Sequence, residues 1–200
     1  MKSFYALIDA LAGLAPPDRA EAEGRIRAAY EVESAVFVLD MSGFSLSVRR
    51  SGIISHLCRI RQVQSIARPL VEANGGEVVK CEADNVLAVF DCPGAAVAAA
   101  RRINATLAAL GDDGTGKPPP SVGIGIDYGR FLLIRGQDAF GDPVNIAHKL
   151  GEDIARPAEI LVTDVARSRL GAVEAERTEP LELSISGVQL HAWRIAGGAP

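Results

Sequence analysis

Cysteine is scarce in this 200-residue sequence, and the three present, Cys58, Cys81 and Cys92, share no CxxC spacing. An odd number of cysteines in apolar settings reads as reduced thiols of a cytoplasmic protein, which excludes a disulfide framework and a thiolate metal site. Positive charge is short as well: 21 Lys and Arg against 25 Asp and Glu leave a net charge of −4. A protein that tracks a nucleic-acid backbone needs a basic face, so no nucleic-acid partner is expected, whereas a small anionic ligand is compatible. Long apolar runs are missing too. A membrane span takes about 20 residues, and the N-terminal stretch from Phe4 to Ala15 is shorter and carries Asp9, so no membrane partner is expected. Internal repeats and low-complexity tracts are absent apart from alanine enrichment. What is present is an ordinary globular composition, just under half apolar, in a chain long enough to bury one core.

Along the chain, Ser3 to Leu14 spaces its apolar residues as an amphipathic helix stopped by Pro16 and Pro17, and Asp18 to Tyr30 reads as a second helix. Residues 1–33 are therefore an N-terminal helical arm that serves packing or dimer contact. Residues 34–196 read as one α/β (α+β) domain, and 197–200 as a disordered tail. Ala35 to Leu39 is a strand buried on both faces that ends at Asp40-Met41-Ser42-Gly43-Phe44. The helix after Gly52 places Ile53, Leu57, Ile60, Val63, Ala67 and Leu70 inward, with Pro69 bending its last turn. Glu77 to Cys81 and Val86 to Phe90 pair as a hairpin with Asp84 in its turn. An alanine-rich helix from Pro93 follows, with Val97, Ala100, Ile103, Leu107 and Leu110 inward.

Gly111 to Pro120 is a linker, and its GDDGTGK has the glycine and lysine spacing of a P-loop. Pro118 stands where a Ser or Thr must reach the metal, and the stretch follows a helix where a P-loop follows a strand, so it is set aside. Ser121 to Asp127 and Phe131 to Ile134 read as paired strands, Gly141 to Ile154 as a helix and Glu159 to Val162 as a strand. Thr163 or Asp164 caps a short helix reaching Leu170, and the tail holds strands over Leu181 to Ile185 and Gln189 to Ile195, with Trp193 a core anchor. The core order βαββαβ predicts a ferredoxin-like mixed sheet with added N-terminal helices and C-terminal strands.

Asp40 and Asp84 are strand-end acids that a βαββ unit brings together. Two carboxylates a few ångströms apart repel unless a proton or cation lies between them, and hard oxygen ligands suit Mg²⁺ or Mn²⁺. Ions so held bridge phosphates and activate an attacking oxygen. On spacing alone, surface caps and turn acids are the plainer alternative.

DMSGFS at 40–45, GGEVVKCEADNVLAVF at 75–90 and GQDAFGDPVNIAHKL at 136–150 together resemble the catalytic domain of class III adenylate/guanylate cyclases, in order over Val36 to Ile195. The resemblance implies that Asp40, Asp84 and the Met41 carbonyl hold two Mg²⁺ or Mn²⁺ ions, with backbone amides of Ser42, Gly43 and Phe44 around the β- and γ-phosphates. It implies further that Arg130 binds phosphate, that Lys80 and Asp138 select adenine, and that Asn145 orients the ribose. The expected reaction converts ATP to 3′,5′-cyclic AMP and pyrophosphate in a head-to-tail homodimer, with the metal acids from one subunit and the base and ribose residues from the other. The departures are Lys149 at the transition-state arginine, Ala83 at a glycine and Ser186 at a phosphate-contacting lysine. They favour the alternative of a degenerate cyclase that binds nucleotide or dimerises without turnover. Glu82 reads as a solvated strand-end acid, and His148 as a helix-surface histidine or a proton shuttle.

Overall fold

One eight-stranded mixed sheet organises the computed structural model, which describes residues 3–42, 52–111, 118–185 and 188–196. Two helices, α1 (Phe4–Leu11) and α2 (Pro16–Tyr30), lead directly into β1 (Glu31–Met41). There follow α3 (Ile53–Ala73), β2 (Gly76–Glu82), β3 (Asn85–Phe90), α4 (Pro93–Ala108), β4 (Val122–Ile134) and β5 (Asp138–Phe140). Next are α5 (Asp142–His148), a π-helix (Lys149–Ile154), β6 (Ile160–Thr163), α6 (Asp164–Arg167), α7 (Ala172–Ala175), β7 (Thr178–Ile185) and β8 (Val188–Ile195). The strand order β2-β3-β1-β4-β6-β8-β7, with β5 paired to β4 off this path, contains the ferredoxin-like core as its first four members. Gly43, Phe44, Ser186, most of the GDDGTGK stretch and the 197–200 tail lie outside the described residues.

Burial on both faces explains why β1 reads as a continuous apolar run. Ala35, Phe37, Leu39 and Met41 share a core with Val63, Ala67 and Val71 of α3 and with Val97, Ala100 and Ile103 of α4. Val36 and Val38, which point the other way by strand alternation, pack with Leu87, Phe131, Val144 and Ala147. The buried stripe of α3 is His56, Ile60, Val63, Ala67 and Val71, whereas the predicted Ile53 and Leu57 are 52% and 47% exposed. Leu110 lies past the end of α4 and is likewise exposed.

The two strands expected around Asp127 and Phe131 are one. Tyr128, Gly129 and Arg130 continue the β4 ladder opposite Ala35, Ser34 and Glu33, and the true hairpin partner of β4 is the short β5. Asp127 looks like a strand terminator in sequence because a lone carboxylate is costly to bury. Here its carboxylate accepts hydrogen bonds from the Thr163 hydroxyl and the Tyr128 amide, and burial pushes its pKa up despite them.

The helix expected over Gly141 to Ile154 changes character at Lys149, where the α-helical pattern loosens to a π-helix. At the glycines this segment comes close to strand backbone. A Cβ on Gly125 would sit 2.3 Å from the Ala147 carbonyl oxygen and 2.5 Å from the Gly151 nitrogen, and one on Gly151 would sit 2.8 Å from the Val38 carbonyl oxygen. The glycines of β4 are thus a seat for the helix that follows it.

Candidate active site

The acidic end of the site is built by register. Leu39 faces Val86 across the β1–β3 ladder, so the turn at Ala83 and Asp84 lies just beyond the end of β1, where Asp40 is. Asp40 points to the side that carries α5 and the π-helix, as alternation from Val36 and Val38 requires. Burial first, then the charges of Asp84, Glu152 and Asp153, push its pKa up to about 7, opposed by a hydrogen bond from the Met41 amide. Asp40 and Asp84 are therefore electrostatic neighbours, as their sequence positions predict.

Glu152, outside the quoted motifs, and Asn85, inside the 75–90 motif but given no role by it, belong to this site. The Asn85 amide donates to Glu152 Oε1 at 2.7 Å, and the same oxygen lies 2.6 Å from His148 Nδ1, so the hairpin turn is tied to the π-helix. The four-residue spacing of His148 and Glu152 on one helix is the signal that could have found the second contact. A cavity of about 270 Å³ opens here between Lys80, Ala83, Asn85, Leu87, His148 and Glu152.

Lys80 follows a register irregularity in β2, between Val78 and Lys80. Its ammonium lies 3.0 Å from Asp138 Oδ1 and 3.0 Å from Glu82 Oε2. Burial alone would lower the Lys80 pKa, but its hydrogen bonds and charge interactions with Asp138 and Glu82 outweigh that, and the net shift is upward. Asp138 Oδ1 also accepts the Ala139 amide at 2.9 Å, which fixes the carboxylate on β5. The structure therefore joins Lys80 and Asp138 across 58 residues of sequence and adds Glu82 to the pair, while Glu82 stays 75% exposed, the solvated strand-end acid that was expected.

Asn145 is exposed on α5, and Lys149, one turn later, pairs with Asp153 at 2.6 Å. Arg130 stands apart. Its guanidinium pairs with Glu33 at 3.2 Å, and it lies seven residues along β4 from Gly123, the residue opposite Asp40. At about 3.3 Å per residue that is roughly 23 Å. Ser42 is described and its amide donates to the Ser121 carbonyl, 3.0 Å away.

Ala83 has φ +48°, so the turn puts an alanine in the left-handed conformation that favours glycine. Ala83→Gly is expected to stabilise the protein by about 1 kcal/mol, read as a higher midpoint in urea unfolding. An unchanged or lower midpoint would show that the turn carries no strain.

The donor set fits a hard divalent cation. Asp40 and Asp84 offer carboxylate oxygens from two elements, and their mutual repulsion is the electrostatic demand that such a cation relieves. Among the described residues no group of three or more His, Cys, Asp or Glu side chains converges on one point, so the remaining ligands would be backbone oxygens, substrate or water.

A pH dependence follows. Asp40 ionises near pH 4 in an unfolded chain and at about 7 in the fold. Its raised pKa favours the fold fully at low pH, and that advantage is lost as pH rises from about 4 to about 7. In metal-free buffer, Asp40→Asn should therefore gain in melting temperature over the parent across that window and hold the gain above it. A difference independent of pH between 4 and 8 would count against the raised pKa.

No protein-family model matches the sequence. The chain is 27% identical over 131 residues to "Putative adenylate cyclase 3" of Rhizobium meliloti; the match covers 66% of this chain and 22% of that much longer relative. It resembles the crystal structure of an adenylate/guanylate cyclase/hydrolase from Silicibacter pomeroyi, at 27% identity and TM-score 0.68, over 83% of this chain and 97% of the other. It also resembles the catalytic core of a rhodopsin-guanylyl cyclase with converted specificity, solved in complex with ATPαS, at 21% identity and TM-score 0.71, again over 83% and 97%.

Proposed function

Taking the class III adenylate/guanylate cyclase catalytic fold of this chain as the premise, we propose that it is an adenylate cyclase acting as a head-to-tail homodimer with composite sites. The observation that carries the reading is the Lys80–Asp138 pair, a donor and an acceptor 3.0 Å apart and partly shielded from water. An adenine edge offers the complement, a ring nitrogen that accepts and an exocyclic amine that donates. Asp40 and Asp84, with the Met41 carbonyl, would hold two Mg²⁺ or Mn²⁺ ions, which supply charge neutralisation of the triphosphate and a lowered pKa for the attacking hydroxyl.

The chain's own residues do the rest. Asn145 of one subunit orients the ribose so that the 3′-oxygen faces the α-phosphorus of a nucleotide held against Asp40 and Asp84 of the other. The 3′-oxygen forms a bond to that phosphorus, the bond to the β-phosphate oxygen breaks, pyrophosphate leaves, and the hydroxyl proton passes to solvent. Backbone amides of Gly43 and Phe44 would be offered to the β- and γ-phosphates, and that of Ser42 only after it leaves the Ser121 carbonyl. Lys149 and Arg130 compensate developing and standing negative charge, each after leaving its present partner, Asp153 or Glu33. Among the described residues no helix is long and apolar enough to cross a membrane, and the domain is read as cytoplasmic.

The second reading, a degenerate cyclase without turnover, is supported by Lys149 itself, which pairs with Asp153 and lacks the planar fork of an arginine. Purified protein assayed with ATP, GTP, CTP and UTP, under Mg²⁺ and under Mn²⁺, separates the two. Cyclic AMP that disappears in Asp84→Ala supports the cyclase. A folded, dimeric protein that yields no cyclic product from any of the four supports the degenerate reading.

A further inference from the structure

We propose that the N-terminal arm is a positioning element for base recognition: Phe4, stacked on Phe140, holds β5 so that Asp138 stays against Lys80. The role of Asp138 in recognising a base rests on the reading above; the coupling of the arm to β5 does not.

β5 has only three residues and, among the described residues, pairs with β4 alone, through Leu132↔Phe140, Leu133↔Ala139 and Ile134↔Asp138. So short a ladder fixes little by itself. The arm supplies what is missing from two directions. Phe4 is 6% exposed, and its ring lies parallel to that of Phe140 with centroids 5.9 Å apart, while Tyr5 meets Phe140 edge-on at 6.5 Å. Phe4 and Ile26 also bury Ile134, the residue paired with Asp138, and Leu132, the residue paired with Phe140, packs on the same cluster. Both rungs that flank Ala139 thus rest on the arm. Ala139 donates its amide to Asp138 Oδ1, the oxygen that faces Lys80. The path from arm to base-selecting carboxylate is therefore continuous: Phe4, Phe140, the β5 backbone, Asp138.

The cluster around Phe4 is separate from the main core, so its truncation spares the domain. Phe4→Ala and Phe140→Ala are compared with the parent and with Val71→Ala, which truncates a fully buried side chain of α3 in the main core, away from the arm. Two readouts are taken: amide hydrogen exchange over residues 138–140, and KM and kcat for ATP and GTP. In both aromatic variants, exchange at β5 should accelerate about 10-fold or more. KM for ATP should rise about 5-fold, with kcat within about 2-fold and a weaker preference for ATP over GTP. Val71→Ala should lower the melting temperature and change neither. Unchanged β5 exchange in Phe4→Ala overturns the coupling. Faster exchange with unaltered KM and ATP:GTP ratio in an active enzyme overturns the positioning role. If the parent chain turns over neither nucleotide, the cyclase reading fails, and the exchange comparison alone decides whether the arm holds β5.

Discussion

Asp40→Ala chains and Asn145→Ala chains, each without cyclase activity alone, are expected to recover about a quarter of the parent activity when mixed in equal amounts and allowed to re-associate. The fraction follows from counting. Random pairing makes half the dimers mixed, and a mixed dimer has one site of two in which an intact Asp40 from one chain meets an intact Asn145 from the other. The physical ground is the charge layout of the single chain. Asp40 already has Asp84, Glu152 and Asp153 close enough to raise its pKa, while Lys149 is neutralised by Asp153 and Lys80 by Asp138 and Glu82. Arg130 is some 23 Å away along β4 by its register. A polyanionic triphosphate needs more than one copy of this surface. No recovery in a mixture whose subunits demonstrably exchange would place all the machinery in one chain and remove the composite site.

Lys149→Arg is expected to raise kcat about 10-fold or more while KM for ATP stays within about 2-fold. Lysine brings a compact point charge, whereas arginine spans two acceptors at once with a planar fork. An interaction made mainly in the transition state appears in kcat alone. The Lys149–Asp153 pair is half exposed on both sides, 47% and 55%, so leaving it costs little. Asp153→Asn should accordingly give a smaller gain in the same direction, by freeing the lysine. A Lys149→Arg enzyme no faster than the parent would mean that charge displacement at this position does not limit the rate.

What was legible in the sequence was what strand alternation and turn chemistry dictate. Asp40 and Asp84 were predicted to be neighbours because one ends a buried strand and the other sits in a hairpin turn, and the register bears this out. The order of the core elements followed from the same pattern. The length of β1 did not, because Glu31, Glu33 and Ser34 are polar and, of these first four residues, only Val32 packs on a core. The continuity of β4 was hidden by Asp127, whose partner Thr163 is 36 residues away. Glu152 and Asn85 were invisible for a similar reason: their bond spans 67 residues. The looser turn at Lys149 is a slip in backbone hydrogen bonding, for which composition has no signature.

The glycine seat under that turn restricts how the helix bearing Asn145 and Lys149 can travel. The closest approaches, at Gly125 and Gly151, are of backbone to backbone, with Val144 and Ala147 packed by their side chains beside them, so the helix has little room to rock or tilt. Lifting away from the sheet would open a gap that nothing could fill, while translation along the strand keeps the two surfaces in contact. Any closing of the site around a nucleotide should then be a shear of this helix along β4, on the small scale at which packed elements slide.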